Sequence, residues 1–230
     1  MKYQPVTQLV AVSLLATFVL VSGTPAFAQE GVRYVVTFKS GWTDKTHPFE
    51  YPEAGLLSGP HFSGLIGATH ADGYTLFKEG VAPTPGLEKL SEEGKHSPLD
   101  AEINAAIKAG RAGLLFETGP IKDATKMKTE LTEFVVTEKY PMVSAVAMIA
   151  PSPDWFAGVA NVTLMEEGTW VQTKTVELYA WDSGGDDGKT YKASDVDTNP
   201  KKPTMKAMSP HFVIDGKARP VATLTFTLKK

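Results

Sequence analysis

Val32-Arg33-Tyr34-Val35-Val36-Thr37-Phe38-Lys39 sets Val32, Tyr34, Val36 and Phe38 on one side of the chain and Arg33, Val35, Thr37 and Lys39 on the other. A strand turns successive side chains to opposite faces, so this stretch reads as a strand with one buried face. Near the other end, Ala222, Leu224, Phe226 and Leu228 alternate with Thr223, Thr225, Thr227 and Lys229. Two such strands are expected in one sheet system, which makes the chain between them a single unit. Residues 142–150 are almost wholly apolar, as in a central strand covered on both sides. Residues 130–137 end in a β-branched and aromatic run, and 114–117 offer a shorter strand. Residues 161–165 and 170–180 are predicted to form a hairpin around Glu166-Glu167-Gly168-Thr169. Many strands with glycine and proline turns predict a mainly all-β fold, an antiparallel β-sandwich or barrel.

A short helical insert around residues 86–110 interrupts the strands. Ser97-Pro98-Leu99-Asp100 reads as a helix start, with Ser97 as cap and Pro98 in the first helical position. Leu99, Ile103, Ala106 and Ile107 then share one face, and Gly110 ends the helix. A second helix is predicted over 86–93 with Leu87 and Leu90 inward. The pair is expected to cover an edge or end of the sandwich. Residues 183–220 lack periodicity, and 189–210 are rich in Lys, Asp, Thr, Asn and Pro, which predicts a long surface excursion.

Residues 1–28 read as a signal peptide. Lys2 supplies the positive start, residues 9–21 an apolar run broken only by Ser13 and Thr17, and Ala26-Phe27-Ala28 the small-x-small cleavage pattern. The competing reading, a retained anchor, needs a longer apolar run. Cleavage after Ala28 leaves residues 29–230 as one domain, secreted or periplasmic, with no further membrane span. Removing Lys2 takes the formal charge from −3 to −4. Such a mildly acidic chain lacks the basic footprint of a nucleic-acid binder. There is no cysteine, which removes disulfides, thiol catalysis and cysteine-based zinc sites.

Chemistry concentrates in two turns. Pro151-Ser152-Pro153-Asp154-Trp155-Phe156-Ala157-Gly158 and Asp182-Ser183-Gly184-Gly185-Asp186 place carboxylates where strands are expected to end. Asp154, Asp182 and Asp186 supply three acidic oxygen donors with no sulfur and no obvious imidazole partner, a set suited to a hard cation such as Ca2+. Gly184 and Gly185 let the backbone fold back between Asp182 and Asp186. The competing reading is two acidic turns with Asp154 capping backbone amides, and Asp187 stands as an alternative to Asp186. Trp155, Phe156 and Trp181 are expected to pack beneath their own loops. His61 and His70, with Asp72, fall short of a zinc site, which needs three or four ligands, and are expected to hold a turn. Glu166-Glu167 is expected in a solvated hairpin rather than as a glycosidase acid, and no Gly-x-Ser-x-Gly elbow is present.

The two acidic turns, with Leu65-Ile66-Gly67-Ala68-Thr69-His70, Tyr34-Val35-Val36-Thr37-Phe38, Trp42, His47-Pro48 and Pro60-His61-Phe62-Ser63, resemble the spondin N-terminal domain family found in animal F-spondin and mindin. The resemblance runs through essentially the whole chain after residue 28, in order. It implies an antiparallel β-sandwich with one calcium-type cation at one end, its carboxylates falling here on Asp154, Asp182 and Asp186. It also implies an adhesion module rather than an enzyme, one that meets an extracellular or cell-surface protein or glycan. The chain departs from the animal pattern near Met165, where animal members carry a cysteine. The fold and the cation site therefore carry over, but the integrin partner of animal members does not. Three roles remain open at this point: a calcium-binding recognition module, an exported metal-dependent hydrolase, and a structural periplasmic domain whose ion only stabilises the fold.

Overall fold

The computed structural model describes residues 1, 31–53, 59–121, 129–194 and 196–230. The signal peptide expected over residues 1–28 lies outside the described residues, Met1 apart. The strands are β1 (Val32–Ser40), β2 (His61–Phe62), β3 (Ile66–His70), β4 (Ala112–Glu117), β5 (Thr129–Val136), β6 (Met142–Ala150) and β7 (Trp155–Thr163). They continue as β8 (Met165–Glu166), β9 (Thr169–Trp170), β10 (Thr173–Asp182), β11 (Met205–Lys206), β12 (Val213–Ile214), β13 (Lys217–Ala218) and β14 (Ala222–Leu228). Among the described residues two helices, α1 (Pro85–Glu93) and α2 (Leu99–Lys108), precede β4.

The main sheet is antiparallel, in the order β4-β3-β6-β7-β10-β14-β1-β5. The strands expected near the two ends of the chain, β1 and β14, do pair: Tyr34 opposes Leu228 and Phe38 opposes Leu224. Tyr34, Val36 and Phe38 are buried, as are Leu224 and Phe226, so the alternation in both strands turns one face into the core. The sheet folds over on itself through β10. Thr173–Leu178 pair with β14, whereas Tyr179–Asp182 pair with β7. One strand thus belongs to both halves of the sheet. On the far side, Phe116 of β4 stacks on Phe134 of β5, with ring centroids 4.5 Å apart and planes within 13°. Side-chain packing there brings the free edges together, and the sheet is nearly closed into a barrel-like form.

The apolar run of β6 serves two cores, because a strand presents alternate residues to opposite faces. Val143, Ala145, Ala147 and Ile149 face the interior between the halves. Val146 faces outward, where Leu87 and Leu90 of α1 and Leu99 and Ile103 of α2 cover it together with Ile66 and Phe156. The helices therefore cover an outer sheet face, not an edge or end. Thr84 caps α1 by accepting from Leu87 N. Glu102 of α2 braces that cap, taking Thr84 Oγ1 at 2.6 Å and Gly86 N at 2.7 Å. Ser97 is not the α2 cap. Pro98 occupies that position with no side-chain bond, and Asp100 takes the Ala101 amide at 2.7 Å instead. The hairpin predicted around Glu166–Thr169 forms as β8–β9. Glu167 and Gly168 at its tip both have positive φ, 50° and 75°, which a two-residue turn of this hand requires.

Residues 189–210 run largely over the surface, as composition predicts, but the excursion is anchored by buried residues at its start and within it. Ser183, Asp186, Thr198 and Thr204 are buried. Thr198 N donates to Gly185 O, Lys202 N to Gly184 O, and Thr204 Oγ1 to Ser183 O. Polar, aperiodic sequence is buried here because its own backbone satisfies its hydrogen bonds.

Candidate cation site

The site forms where β10 ends beside the start of β7. Asp182 opposes Trp155 in the ladder, and Ser183 N donates to Asp154 O at 3.2 Å. The turn before β7 is fixed by Ser152, whose Oγ accepts from Trp155 N at 3.1 Å. Asp154 is fully buried. Its Oδ2 accepts from Ser183 Oγ, Gly184 N and Gly185 N, each at 2.9 Å, and from Asp186 N at 3.2 Å. Successive backbone N–H groups converging on one oxygen make an anion nest, here filled by a side chain of the same molecule. Gly184 builds it with φ of +85°. A Cβ on Gly184 would lie 2.3 Å from the Lys202 carbonyl oxygen. Gly184→Ala is therefore expected to lose about 3 kcal/mol in urea unfolding, since both the backbone conformation and the contact resist it. A loss below about 1 kcal/mol would show that the loop reshapes freely.

Asp182 stands beside this nest. Gly184 N is shared, reaching Asp182 Oδ1 at 3.0 Å as well as Asp154. Burial, then the neighbouring Asp154 charge, pushes the Asp182 carboxyl up to about 6. Burial also pushes Asp154 up, against the pull of its four donors. Asp154 Oδ1 is buried with no hydrogen-bond partner. Two carboxylates held together, one with an orphaned oxygen, have the chemistry of half a cation shell. Asp186 joins differently. Its amide completes the nest, while its carboxylate takes the amides of Gly188 and Val196. It would ligate an ion only through its remaining lone pairs. Asp187 is exposed and pairs with Lys202.

Residues 32–215 match the Spondin_N family. The chain belongs to that family. It is 32% identical over 171 residues to Spondin-2 of Rattus norvegicus, covering 74% of this chain and 50% of that protein. Spondin-2 of Homo sapiens is 31% identical over 170 residues, with 74% and 50% covered. Spondin-1 of Mus musculus is 30% identical over 181 residues, covering 75% of this chain and 21% of that protein. The chain spans about half the length of its Spondin-2 relatives and about a fifth of Spondin-1.

Other expectations resolve plainly in this spondin domain. Trp155 and Phe156 are buried. Trp181 is half-buried against Phe77, with centroids 5.0 Å apart. His70 is buried between Ala71 O and Ser144 Oγ, each at 2.8 Å, and burial lowers its pKa. His61 is tied to Gly59 O at 2.8 Å. Glu166 meets Lys174 at 2.6 Å in an exposed hairpin. Among the described residues the three carboxylates that do come within reach of a common ion are Glu88, Glu92 and Asp197, which sequence reasoning missed. Lys201 already serves them: its ammonium lies 2.8 Å from Glu88 and 3.6 Å from Asp197, and reaches Gly185 O at 3.1 Å. That ammonium ties α1 to the nest loop. Spacing of four between Glu88 and Glu92 on one helix face was the only available signal.

Proposed function

We propose that this spondin domain is an exported, calcium-binding adhesion or recognition module, with the cation seated on Asp154 and Asp182 and with Asp186 at its margin. The observation that carries the reading is the buried, unpartnered Oδ1 of Asp154, in a carboxylate that shares the Gly184 amide with Asp182. A buried acceptor left orphaned beside a second negative charge is costly, and a divalent cation removes both costs together. When bound, the ion supplies positive charge and open coordination positions. The chain's own residues fix the loops around it, because the nest already holds Asp154 in place. Export rests on residues 1–28 and their cleavage pattern. Among the described residues no helix is long and apolar enough to cross a membrane.

The partner is proposed to be an extracellular or cell-surface protein or glycan. A serine-type hydrolase reading is disfavoured for a specific reason. Ser209, His211 and Glu50 do form a hydroxyl–imidazole–carboxylate row, with both contacts at 3.1 Å. Yet the amides of Phe212 and Val213 beside it are spent on Ser209 O, so they cannot hold a developing oxyanion.

Thermal unfolding of residues 29–230 in calcium, magnesium and chelator tests the cation. Calcium at a hundredfold excess over its dissociation constant is expected to add about 2.7 kcal/mol, with magnesium adding less. Identical melting in calcium and chelator would remove the site.

A further inference from the structure

A cavity of about 410 Å³ opens beside Asp182. That volume suits a small ligand or a single inserted side chain. Trp155 lies deep in it, buried at 2% exposure. Phe49, Met205 and Met208 stand at its mouth, 44%, 48% and 60% exposed. Large apolar side chains exposed together around a recess mark a binding surface more often than scattered ones do. The wall is rigid. His211 is fixed through Nδ1 to Ser209 Oγ and through Nε2 to Glu50 Oε2, each at 3.1 Å. Phe49 meets the His211 ring edge-on, with centroids 4.9 Å apart. Glu50 holds φ of 49°, a conformation unfavourable for a residue with a Cβ, and it sets Phe49 and Glu50 over that ring.

Charge then selects the occupant. Four charged side chains line the cavity: Glu50, Asp182, Lys189 and Lys206. Lys206 is engaged elsewhere, and Lys189 is exposed. Lys206 sits over the Tyr179 ring at 4.1 Å and the Trp181 ring at 5.6 Å. Lys189 lies in the field of Asp187. Among the described residues each carboxylate keeps one oxygen without a hydrogen bond: Asp182 Oδ2 accepts none, and Glu50 uses Oε2 alone. Carboxylate acceptors beside apolar side chains favour a donor with positive charge.

We propose that this cavity binds an alkylammonium group carried on an apolar body, with the ammonium on Asp182 and Glu50 and the body against Trp155, Met205 and Met208. The same chemistry comes from a free amine or from a lysine side chain of a partner protein. The site shares Asp182 with the cation site but does not depend on it, and a bound divalent ion competes with the ammonium for that carboxylate.

Calorimetric titration of residues 29–230 in chelator, with hexylammonium, hexanoate and hexan-1-ol, separates head group from body. Hexylammonium is expected to bind at least about ten-fold tighter than either of the others. Asp182→Asn should reduce that preference to about two-fold or less, and Glu50→Gln should weaken it independently if Asp182→Asn fails to fold. Equal binding of the three probes, no saturable hexylammonium binding, or a preference untouched in both variants would overturn the proposal. A capped Leu-Lys-Leu peptide that binds tighter than hexylammonium assigns the site to a protein partner, and weaker binding assigns it to a free amine. Repeating the titration in calcium keeps the two readings apart. Amine binding in chelator without any calcium effect on melting supports this site alone, and the reverse result supports the cation alone.

Discussion

Asp154→Ala is expected to lower stability by about 4 kcal/mol in chelator, whereas Asp154→Asn costs little there and abolishes the calcium response. The two variants separate the two roles of one carboxylate. Oδ2 is the common acceptor for Ser183 Oγ and the amides of Gly184, Gly185 and Asp186. Alanine leaves Ser183 Oγ and the Asp186 amide without that acceptor, and leaves the Gly184 and Gly185 amides only their second acceptors, Asp182 Oδ1 and Ser183 Oγ, in a buried loop. Each such loss costs about 1–3 kcal/mol, and neighbouring losses do not add, because water refills part of the space. Asparagine keeps an oxygen at the Oδ2 position and replaces the orphaned Oδ1 by an amide. It removes a buried charge that has no counter-ion in chelator, so its melting temperature there should equal or exceed that of the wild type. In calcium the order reverses, since only the wild type gains from binding. Equal destabilisation by both variants in chelator would show that charge, not the acceptor geometry, holds the nest. A calcium response that survives in Asp154→Asn would move the ion elsewhere.

Trp155→Ala is expected to cost about 3–5 kcal/mol by urea unfolding, and Trp155→Phe less than half of that. Its ring packs against Tyr191, His211 and Phe212, with centroids 5.3, 5.0 and 5.1 Å away. Those partners come from the loop after the nest and from the segment before β12. One indole therefore joins the two halves of the sheet to the loop that carries the site. Truncation leaves a void that the opposing β7–β10 ladder cannot close, because backbone hydrogen bonds fix its spacing. Phenylalanine keeps the edge-to-face contacts and loses one ring. A loss below about 1.5 kcal/mol for alanine would mean that the cluster collapses around the gap.

Both predictions turn on neighbouring residues, Asp154 and Trp155, that the sequence marked for opposite reasons, one as a ligand and one as packing. Burial and hydrogen bonds agree with the packing assignment. For Asp154 they join two readings posed as rivals. The residue caps backbone amides through one oxygen and leaves the other unpartnered, so the capping that competed with a metal site is what orients the carboxylate. Asp186, equal to Asp154 in the sequence, differs in the structure. Its carboxylate closes its own loop on Gly188 and Val196, a bond between near neighbours that spacing cannot reveal.

The cavity was not legible in the sequence. Phe49 and Glu50, Asp182, and the segment around His211 are far apart along the chain and lie in or beside irregular segments, where no period of two or 3.6 marks a face. Composition marked 189–210 as a surface excursion but not its buried anchors, Asp186, Thr198 and Thr204, because a buried polar residue satisfied by nearby backbone looks in sequence like a solvated one.

The sequence by itself determined the strand character of β1, β6 and β14, the antiparallel β class, the two helices with their inward leucines, and the turns that carry Asp154 and Asp182. These follow from local periodicity, which a strand or helix imposes on its own residues. Tertiary structure alone decided that the halves are one sheet bent through β10, that the helices cover its outer face, and that Asp154 fills a nest built by Gly184 and Gly185. It also decided that Asp182 faces both that nest and an apolar cavity. These depend on which distant segments share space, and that is fixed by the joint burial of side chains and satisfaction of backbone groups rather than by any local pattern.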